Sequence, residues 1–367
     1  MNKSNWTYKK LGEVAKIING KNQKAVEDSN GKYPICGSGG IMGYAIDYLC
    51  PENSVIVGRK GNINRPIFMT QKFWNVDTAF GISANEDCMV PKFLFYFCQI
   101  FDFQKLNKAV TIPSLVKSDL LKIDLPVPSK ETQLNIVNEL DSLNDSISML
   151  QQQVAYLDSL AQSIFYDMFG DPILNPYQWP IKKIGDIGNV ERGAGISKKD
   201  FVDSGLPCIH YGQLHTSFGP TAYKNITFIP SNLLPKYKIA HTGDVIMAIT
   251  SEDVEGSCKS TAWLGDFDLV VGSDAAIYHH SINGVYVSYY TMTKAFYIEK
   301  EKYAKGFKVT HISAKEIESI PIPIPPMELQ ENFAQKVAAI EDSKATFNVQ
   351  IKELQNLLAA RMQYWFD

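Results

Sequence analysis

The chain has 367 residues, 45% apolar and 20% charged, with a net charge of −3. That length favours two domains, and the apolar content suffices for two cores. No run approaches the ~18 apolar residues of a membrane span, the start MNKSNWTYKKLGEV carries no signal-type apolar run, and the six cysteines are scattered without a CxxC, so a reduced, cytoplasmic protein is expected.

The net charge conceals a separation. Residues 1–72 hold eleven Lys or Arg against five acids, whereas residues 131–169 hold six acids and no Lys or Arg. A basic working surface joined to an acidic scaffold would have this pattern; solvated faces differing by chance are the bland alternative.

The chain opens with WTYKKLGEVAKIING (6–20), followed by Lys21 and Lys24, both placed to touch phosphate. GSGGIMG (37–43), which contains Ser38, allows close approach of backbone to a ligand. NSVIVG reads as a strand, and VGRKGNINRP (57–66) then packs Arg59, Lys60, Asn62, Asn64 and Arg65 into a glycine-flanked turn. Arg suits guanine, Asn suits adenine, and both bind phosphate; a solvated turn is the competing reading. A short helical stretch is expected around 91–106, and the proline-rich LPVPSKE stops strand or loop before a helix begins.

The second half repeats the first. WPIKKIGDIGNVERG (179–193) matches the opening at an offset of 173, and from Asp77 onward an offset of 197 holds to the end. SDLLKIDLPVPSKETQ (118–133) then meets KEIESIPIPIPPMELQ (315–330), and SVIVG (54–58) resembles DVIMA (244–248). A helical stretch is expected around 286–303. Arg192, Lys198 and Lys199 have the character of phosphate contacts, and HYGQLH (210–215) offers His210, Tyr211, Gln213 and His215 to base edges. The turn equivalent to 57–66 reads AITSEDVEGSCKST (248–261): Ile249 and Thr250 replace the Arg-Lys pair, acids follow, and Lys259 and Ser260 remain candidates. AKGFKVTHIS (304–313) adds Lys305, Lys308 and His311, opposite NKAVTIPSL (107–115) in the first copy.

Each copy ends in a long helix. Ile136, Leu140, Leu143, Ile147, Leu150, Val154, Leu157, Ala161, Ile164 and Met168 step by 4,3,4,3, the period of a coiled-coil seam. Phe333, Val337, Ile340, Lys344, Phe347, Ile351, Leu354, Leu358, Arg361 and Trp365 repeat the phase, with Lys344 and Arg361 interrupting the stripe. The other helix is the expected partner for each seam; packing on its own domain is the alternative.

Signs of chemistry are missing. NPY (175–177) lacks the second proline of the N-P-P-Y motif of amino-methyltransferases, and no glycine-rich cofactor loop precedes it. No GxxxxGK[ST] phosphate loop occurs, and the six histidines lack metal-ligand spacing, so no cofactor, metal or catalytic residue is expected.

The duplicated W-x-x-K-K-[LI]-G-[ED]-[VI] opening, the P-x-P-[SP]-x-E-x-Q junction and a long helix ending MFGDPILNPYQWP resemble the specificity subunit of type I restriction-modification enzymes over essentially the full length. The resemblance implies an α+β protein in which two β-rich mixed target-recognition domains (1–130 and 171–327) are linked by two long helices (131–170 and 328–367) pairing as an antiparallel coiled coil, with a pseudo-two-fold repeat. It implies no catalysis by this chain. Each domain would read one half of an asymmetric bipartite site on double-stranded DNA, with the helices as ruler. Two methyltransferase subunits and motor-nuclease subunits would be the partners, and the exposed helix faces candidate docking surfaces. The family's G-R-x-G turn points to Arg59 and Lys60, and the second copy departs from it. A specificity subunit of a related two-subunit restriction system and a protein-interaction scaffold without a DNA role are the alternatives.

Overall fold

The structure is a computed structural model that describes residues 3, 6–109, 111–231, 237–304 and 309–366. The chain divides into two compact units, Met1–Gln152 with Asn348–Asp367, and Gln153–Phe347. Each unit is a mixed α/β body with one portion of each long helix built into it, as expected of the α+β repeat.

The repeated opening motif is a strand followed by a tight turn. In the first unit Thr7–Lys10 pairs antiparallel with Asp124–Val127, and in the second Ile181–Lys183 pairs with Pro321–Pro323. The amides of Leu11 and Ile184 donate to the carbonyls of Ile123 and Ile320 at 2.8 and 2.9 Å. Glu13 and Asp186 each accept from the backbone amide of the second motif lysine, Lys10 or Lys183, at 3.0 Å. The acidic position of the motif thus closes its own turn.

In the first unit a four-stranded antiparallel sheet runs in the order Ala15–Asn19, Ala79–Ala84, Ser54–Gly58, Ile67–Met69. A three-stranded sheet holds Gly40–Ala45, Tyr33–Gly37 and Trp74–Asn75. The glycine-rich 37–43 stretch is therefore largely hairpin. In the second unit a five-stranded sheet runs Gly188–Arg192, Ala275–His280, Val245–Ala248, Ser260–Trp263, Thr221–Ala222, beside a four-stranded sheet. The resembling runs SVIVG and DVIMA occupy the same place, each paired with the strand that also pairs with its unit's first sheet strand. The expected short helical stretches are Pro91–Ile100 with Phe103–Leu106, and Gly284–Tyr290 with Lys294–Glu301.

The two long helices run Lys130–Phe169 and Met327–Phe366, 40 residues each, or roughly 60 Å at 1.5 Å per residue. A glutamine near each start anchors them. Gln133 is fully buried; its Oε1 accepts from the Val90 amide at 2.7 Å and its Nε2 donates to the carbonyls of Cys88 and Pro128. Gln330 repeats this with the Asn283 amide and the Pro325 carbonyl. The junction motif is thus a latch between helix and domain: a buried side-chain amide must satisfy both ends, and these do.

Within each unit the helix portions pair antiparallel. In the first, Ile136, Val137 and Leu140 share a core with Met362, Trp365 and Phe366, and Trp365 stacks on Trp6 at 6.0 Å. In the second, Ala161, Phe165 and Phe169 share a core with Phe333, Val337 and Ile340. The two residues that interrupt the apolar stripe are charge partners across the pair. Arg361 forks onto Glu139, its Nη2 at 2.9 Å from Oε2, and lies over the Trp365 ring at 4.8 Å. Lys344, only 14% exposed at its side chain, bonds Asp158 at 2.6 Å and Glu341 at 2.8 Å.

The Arg361 hydrogen bond holds the Glu139 carboxyl below its ordinary 4.5; partial burial opposes this, while the Arg361 charge and the Trp365 ring N–H reinforce it. The folded pKa is depressed, so the stabilisation is present above 4.5 and is lost as pH falls through the lowered value. Both side chains are 33% exposed, so solvent screening limits the pair to about 1 kcal/mol. Glu139→Gln should therefore melt below wild type at pH 6, and the gap should close on acidification. A gap independent of pH would remove the ion pair from the account.

Candidate nucleic-acid interface

In the first unit the candidate residues gather where three strands end. Gly20, Gly37 and Gly58 close or follow Ala15–Asn19, Tyr33–Gly37 and Ser54–Gly58, and the chain at each of these strand ends bonds to residues 75–78. The Lys21 amide donates to the Asn75 carbonyl, the Val76 amide to the Cys36 carbonyl, and the amides of Arg59 and Lys60 to the Thr78 carbonyl. A Cβ at Gly20 would lie 1.8 Å from the Val76 carbonyl oxygen, and one at the equivalent Gly193 would lie 2.2 Å from that of Gly272. The framing glycine is thus required in both copies by backbone crossing backbone.

This convergence gathers Lys21, Ser38, Arg59 and Lys60. Ser38 abuts Gly58: a Cβ there would come 3.0 Å from the serine Cβ. Arg59 and Lys60 are exposed; the Arg59 Nη1 lies 3.4 Å from the Asp77 carbonyl, and the guanidinium sits 5.9 Å from the Phe80 ring centre. Asn62 and Arg65 are exposed on the same turn, and Lys24 is exposed beyond Lys21. Asn64 is different. Its Nδ2 donates to Asp102 at 2.8 Å and its Oδ1 accepts from the Phe103 amide at 2.7 Å, so both ends of its amide tie the turn to the body.

The second unit keeps the framework and changes the side chains. Lys60 bridges to Ser114 and the Leu115 amide donates to the Arg59 carbonyl; in the second copy Thr250 pairs with His311 and the Ile312 amide donates to the Ile249 carbonyl. Where Arg59 is exposed, Ile249 is 1% exposed. His311, at the equivalent of Ser114, shares a 3.1 Å hydrogen bond between its Nδ1 and the Thr250 hydroxyl. Arg192 is engaged: its Nε donates to the Ser273 carbonyl at 2.7 Å and its Nη2 is 3.6 Å from Asp274.

A cleft of about 1590 Å³ opens beside this turn, lined by Lys198, His210, Tyr211, Gln213, His215, Lys259 and Ser260 among others. Seven sequence-predicted residues thus come together. Several of them are also bonded within the fold. His210–Gln213 is a reciprocal cap on the short helix Tyr211–Thr216: His210 Nδ1 accepts from the Gly212 amide, and Gln213 Oε1 accepts from the His210 amide. Burial lowers the His210 pKa, helped by Lys198 and opposed by Asp274. A neutral ring is what an accepting Nδ1 requires. His215 Nε2 meets the Thr250 carbonyl at 3.1 Å, and Lys259 Nζ donates to the His215 carbonyl at 2.9 Å. Ser260 is buried, its hydroxyl 2.5 Å from that of Thr291. Tyr211 keeps a half-buried ring, while Lys198 and Lys199 are exposed on the turn Lys198–Asp200. Lys305 and Lys308 lie outside the described residues.

Sequence reasoning missed Lys300. It is 4% exposed and donates to the carbonyls of Glu255 and Ser257 at 2.9 and 2.5 Å, holding the acidic turn from beneath. Burial pushes its ammonium below the usual lysine value, with Cys258, Glu255 and Asp253 acting the other way. EKEK (299–302) carries no sign of this, because the signal lies in the tertiary contact alone.

Among the described residues no group of His, Cys, Asp or Glu is arranged to hold a metal, and no helix is long and apolar enough to cross a membrane. All six cysteines are free.

Both halves match one family model, the type I restriction modification DNA specificity domain, at residues 3–157 and 176–356. Among curated relatives, the type I restriction enzyme MjaVIII specificity subunit of Methanocaldococcus jannaschii is 21% identical over 373 residues, covering 92% of this chain and 86% of that protein. The MjaIX specificity subunit of the same organism is 22% identical, covering 82% and 72%. Among solved structures, the type I restriction-modification S subunit from M. genitalium superposes with a TM-score of 0.60 at 15% identity, covering 100% of this chain and 98% of that one. A chain from work on complex assembly and conformational transition of the type I R-M system gives 0.57 at 18% identity, covering 98% and 96%. These two likenesses establish the fold.

Proposed function

Because this chain belongs to the type I restriction modification DNA specificity family, matched in both its halves, we propose that its two units read the two unlike halves of an asymmetric DNA site. The chain is the DNA-recognition subunit of its system. The reading of one half-site per unit rests on a single observation: the pinned turn after the strands Ser54–Gly58 and Val245–Ala248 keeps its backbone partners in both copies while its side chains change from Arg59-Lys60 to Ile249-Thr250. A constant framework with exchanged side chains is what two readers of different sequences need.

The long antiparallel helices act as the ruler that sets the unspecified gap. The chain carries no chemistry of its own; methyltransferase subunits dock on the helical scaffold, and a motor-nuclease subunit joins for restriction in the cytoplasm. Phosphate contacts fall to Lys21, Lys24, Arg59, Lys60 and Arg65 in the first unit and to Lys198, Lys199 and Lys259 in the second. The engaged groups Asn64, Arg192, His210 and Gln213 shape these surfaces.

The test is methylation mapping. The chain is co-expressed with the methyltransferase encoded beside it, and host DNA is sequenced for modified bases. A split motif with a fixed gap, absent when the chain is omitted, is the expected result. An assembled complex that adds no new motif would favour the scaffold reading.

A further inference from the structure

The hairpin Tyr33–Gly37/Gly40–Ala45 carries two large apolar side chains at its tip, Ile41 and Met42, which are 54% and 62% exposed. Gly37 pairs with Gly40 across the two-residue turn Ser38-Gly39, and added Cβ atoms at Gly39 or Gly40 would meet nothing within 4 Å. The tip is therefore slender and surrounded by open space. Farther along, the outer edge is covered: the Asp28 amide donates to the Tyr44 carbonyl and the Ile46 amide to the Val26 carbonyl. The uncovered end is the one beside the basic turn. Met42 Sδ lies 3.6 Å from where a Gly37 Cβ would stand, and Ser38 abuts Gly58, the residue before Arg59.

Two exposed apolar groups here are unfavourable in the free protein, and their surroundings state what covers them. Lys21, Lys24, Arg59, Lys60 and Arg65 give this end of the unit a positive flank that complements a phosphate backbone. A two-stranded ribbon fits the major groove, roughly 12 Å wide, and the apolar group displayed there is the thymine 5-methyl. Neither Ile nor Met can satisfy the polar edges of the other bases.

Resting on the DNA-reading function proposed above, we infer that the tip of this hairpin enters the major groove and that Ile41 and Met42 read a thymine methyl in one half-site. The two residues determine specificity by burial: the methyl leaves water against them, and a cytosine at that position presents an amino group without a partner.

The experiment uses the assembled complex of this chain with its methyltransferase and the motif given by methylation mapping. Each thymine of both half-sites is replaced in turn by deoxyuridine, which removes only the methyl. The expected result is one position, confined to one half-site, at which wild type loses affinity about four-fold, the worth of burying one methyl group. The Ile41→Ser/Met42→Ser variant should bind the thymine duplex correspondingly more weakly and be indifferent to that replacement. Both side chains are exposed, so the variant should fold, and retained discrimination at the other half-site is the internal check. The inference is overturned if no thymine position responds, if the variant keeps the wild-type response, or if the half-sites contain no thymine on either strand. Loss of sequence preference by the wild-type complex would instead sink the DNA-reading function itself.

Discussion

Phe165→Ala is expected to lower the unfolding free energy of the second unit by about 3–5 kcal/mol, the usual range for emptying a buried aromatic site. Phe165 is fully buried at the centre of an aromatic cluster. It stacks on Tyr286 with centroids 5.6 Å apart and meets Phe169 and Phe333 at 5.0 and 5.6 Å. These rings come from the end of the first long helix, the start of the second and the helix Gly284–Tyr290. Collapse around the cavity would have to move all three. A loss on this scale is a large part of a domain's total stability of about 5–15 kcal/mol. Phe165→Leu keeps much of the volume and should cost ~1–2 kcal/mol. Urea unfolding of the two variants checks both figures. An alanine variant within 1 kcal/mol of wild type would mean that the cluster closes over the gap and is not a rigid junction.

Arg59→Ala/Lys60→Ala should weaken DNA binding by the assembled complex roughly 10- to 100-fold at about 0.1 M salt, and should reduce the slope of log K against log salt by about 1.8. The estimate assumes that each cation neutralises one phosphate, as their exposure permits. The letters of the recognised sequence should survive if both act on phosphate. Relaxation at a single base pair would mark Arg59 as a guanine reader instead. Arg192→Ala is the contrasting control. Its guanidinium is already held by Ser273 and Asp274, so its removal should move the salt slope less. An unchanged slope in the double variant would take the 57–66 turn off the backbone.

The sequence was most legible where a period could be counted. The 4,3 stripe marks both long helices because an exposed seam must be covered along its whole length. It did not mark Phe165 and Phe169, which lie off the stripe yet are buried. Near its end the helix packs against domain and partner helix together, so a second face is used there. The turn of 57–66 was legible from its glycines and charges, but the two jobs of its asparagines were not: Asn62 is exposed while Asn64 spends both ends of its amide inside the fold. HYGQLH reads as a row of base-seeking groups until its spacing is considered. A polar residue followed by Gln three places later is the pattern of a reciprocal helix cap, and the structure uses His210 and Gln213 in that way. Ile41 and Met42 were hidden inside a stretch valued for its glycines. Which apolar residues remain uncovered depends on strand pairing distant in sequence.

The charge pairs that interrupt the helix seam do not obey the repeat. At the offset of 197, Arg361 corresponds to Ile164 and Glu139 to Lys336, while Lys344 corresponds to Ile147 and Asp158 to Gln355. Two first helices brought together in the observed register would set Glu139 against an isoleucine. Two second helices would set Arg361 against a lysine. Only the unlike pair satisfies Glu139 with Arg361 and Asp158 with Lys344. Two identical halves would pair equally well with a copy of themselves. Differences at four matched positions make the halves complementary, so each helix distinguishes the unlike helix from a copy of itself.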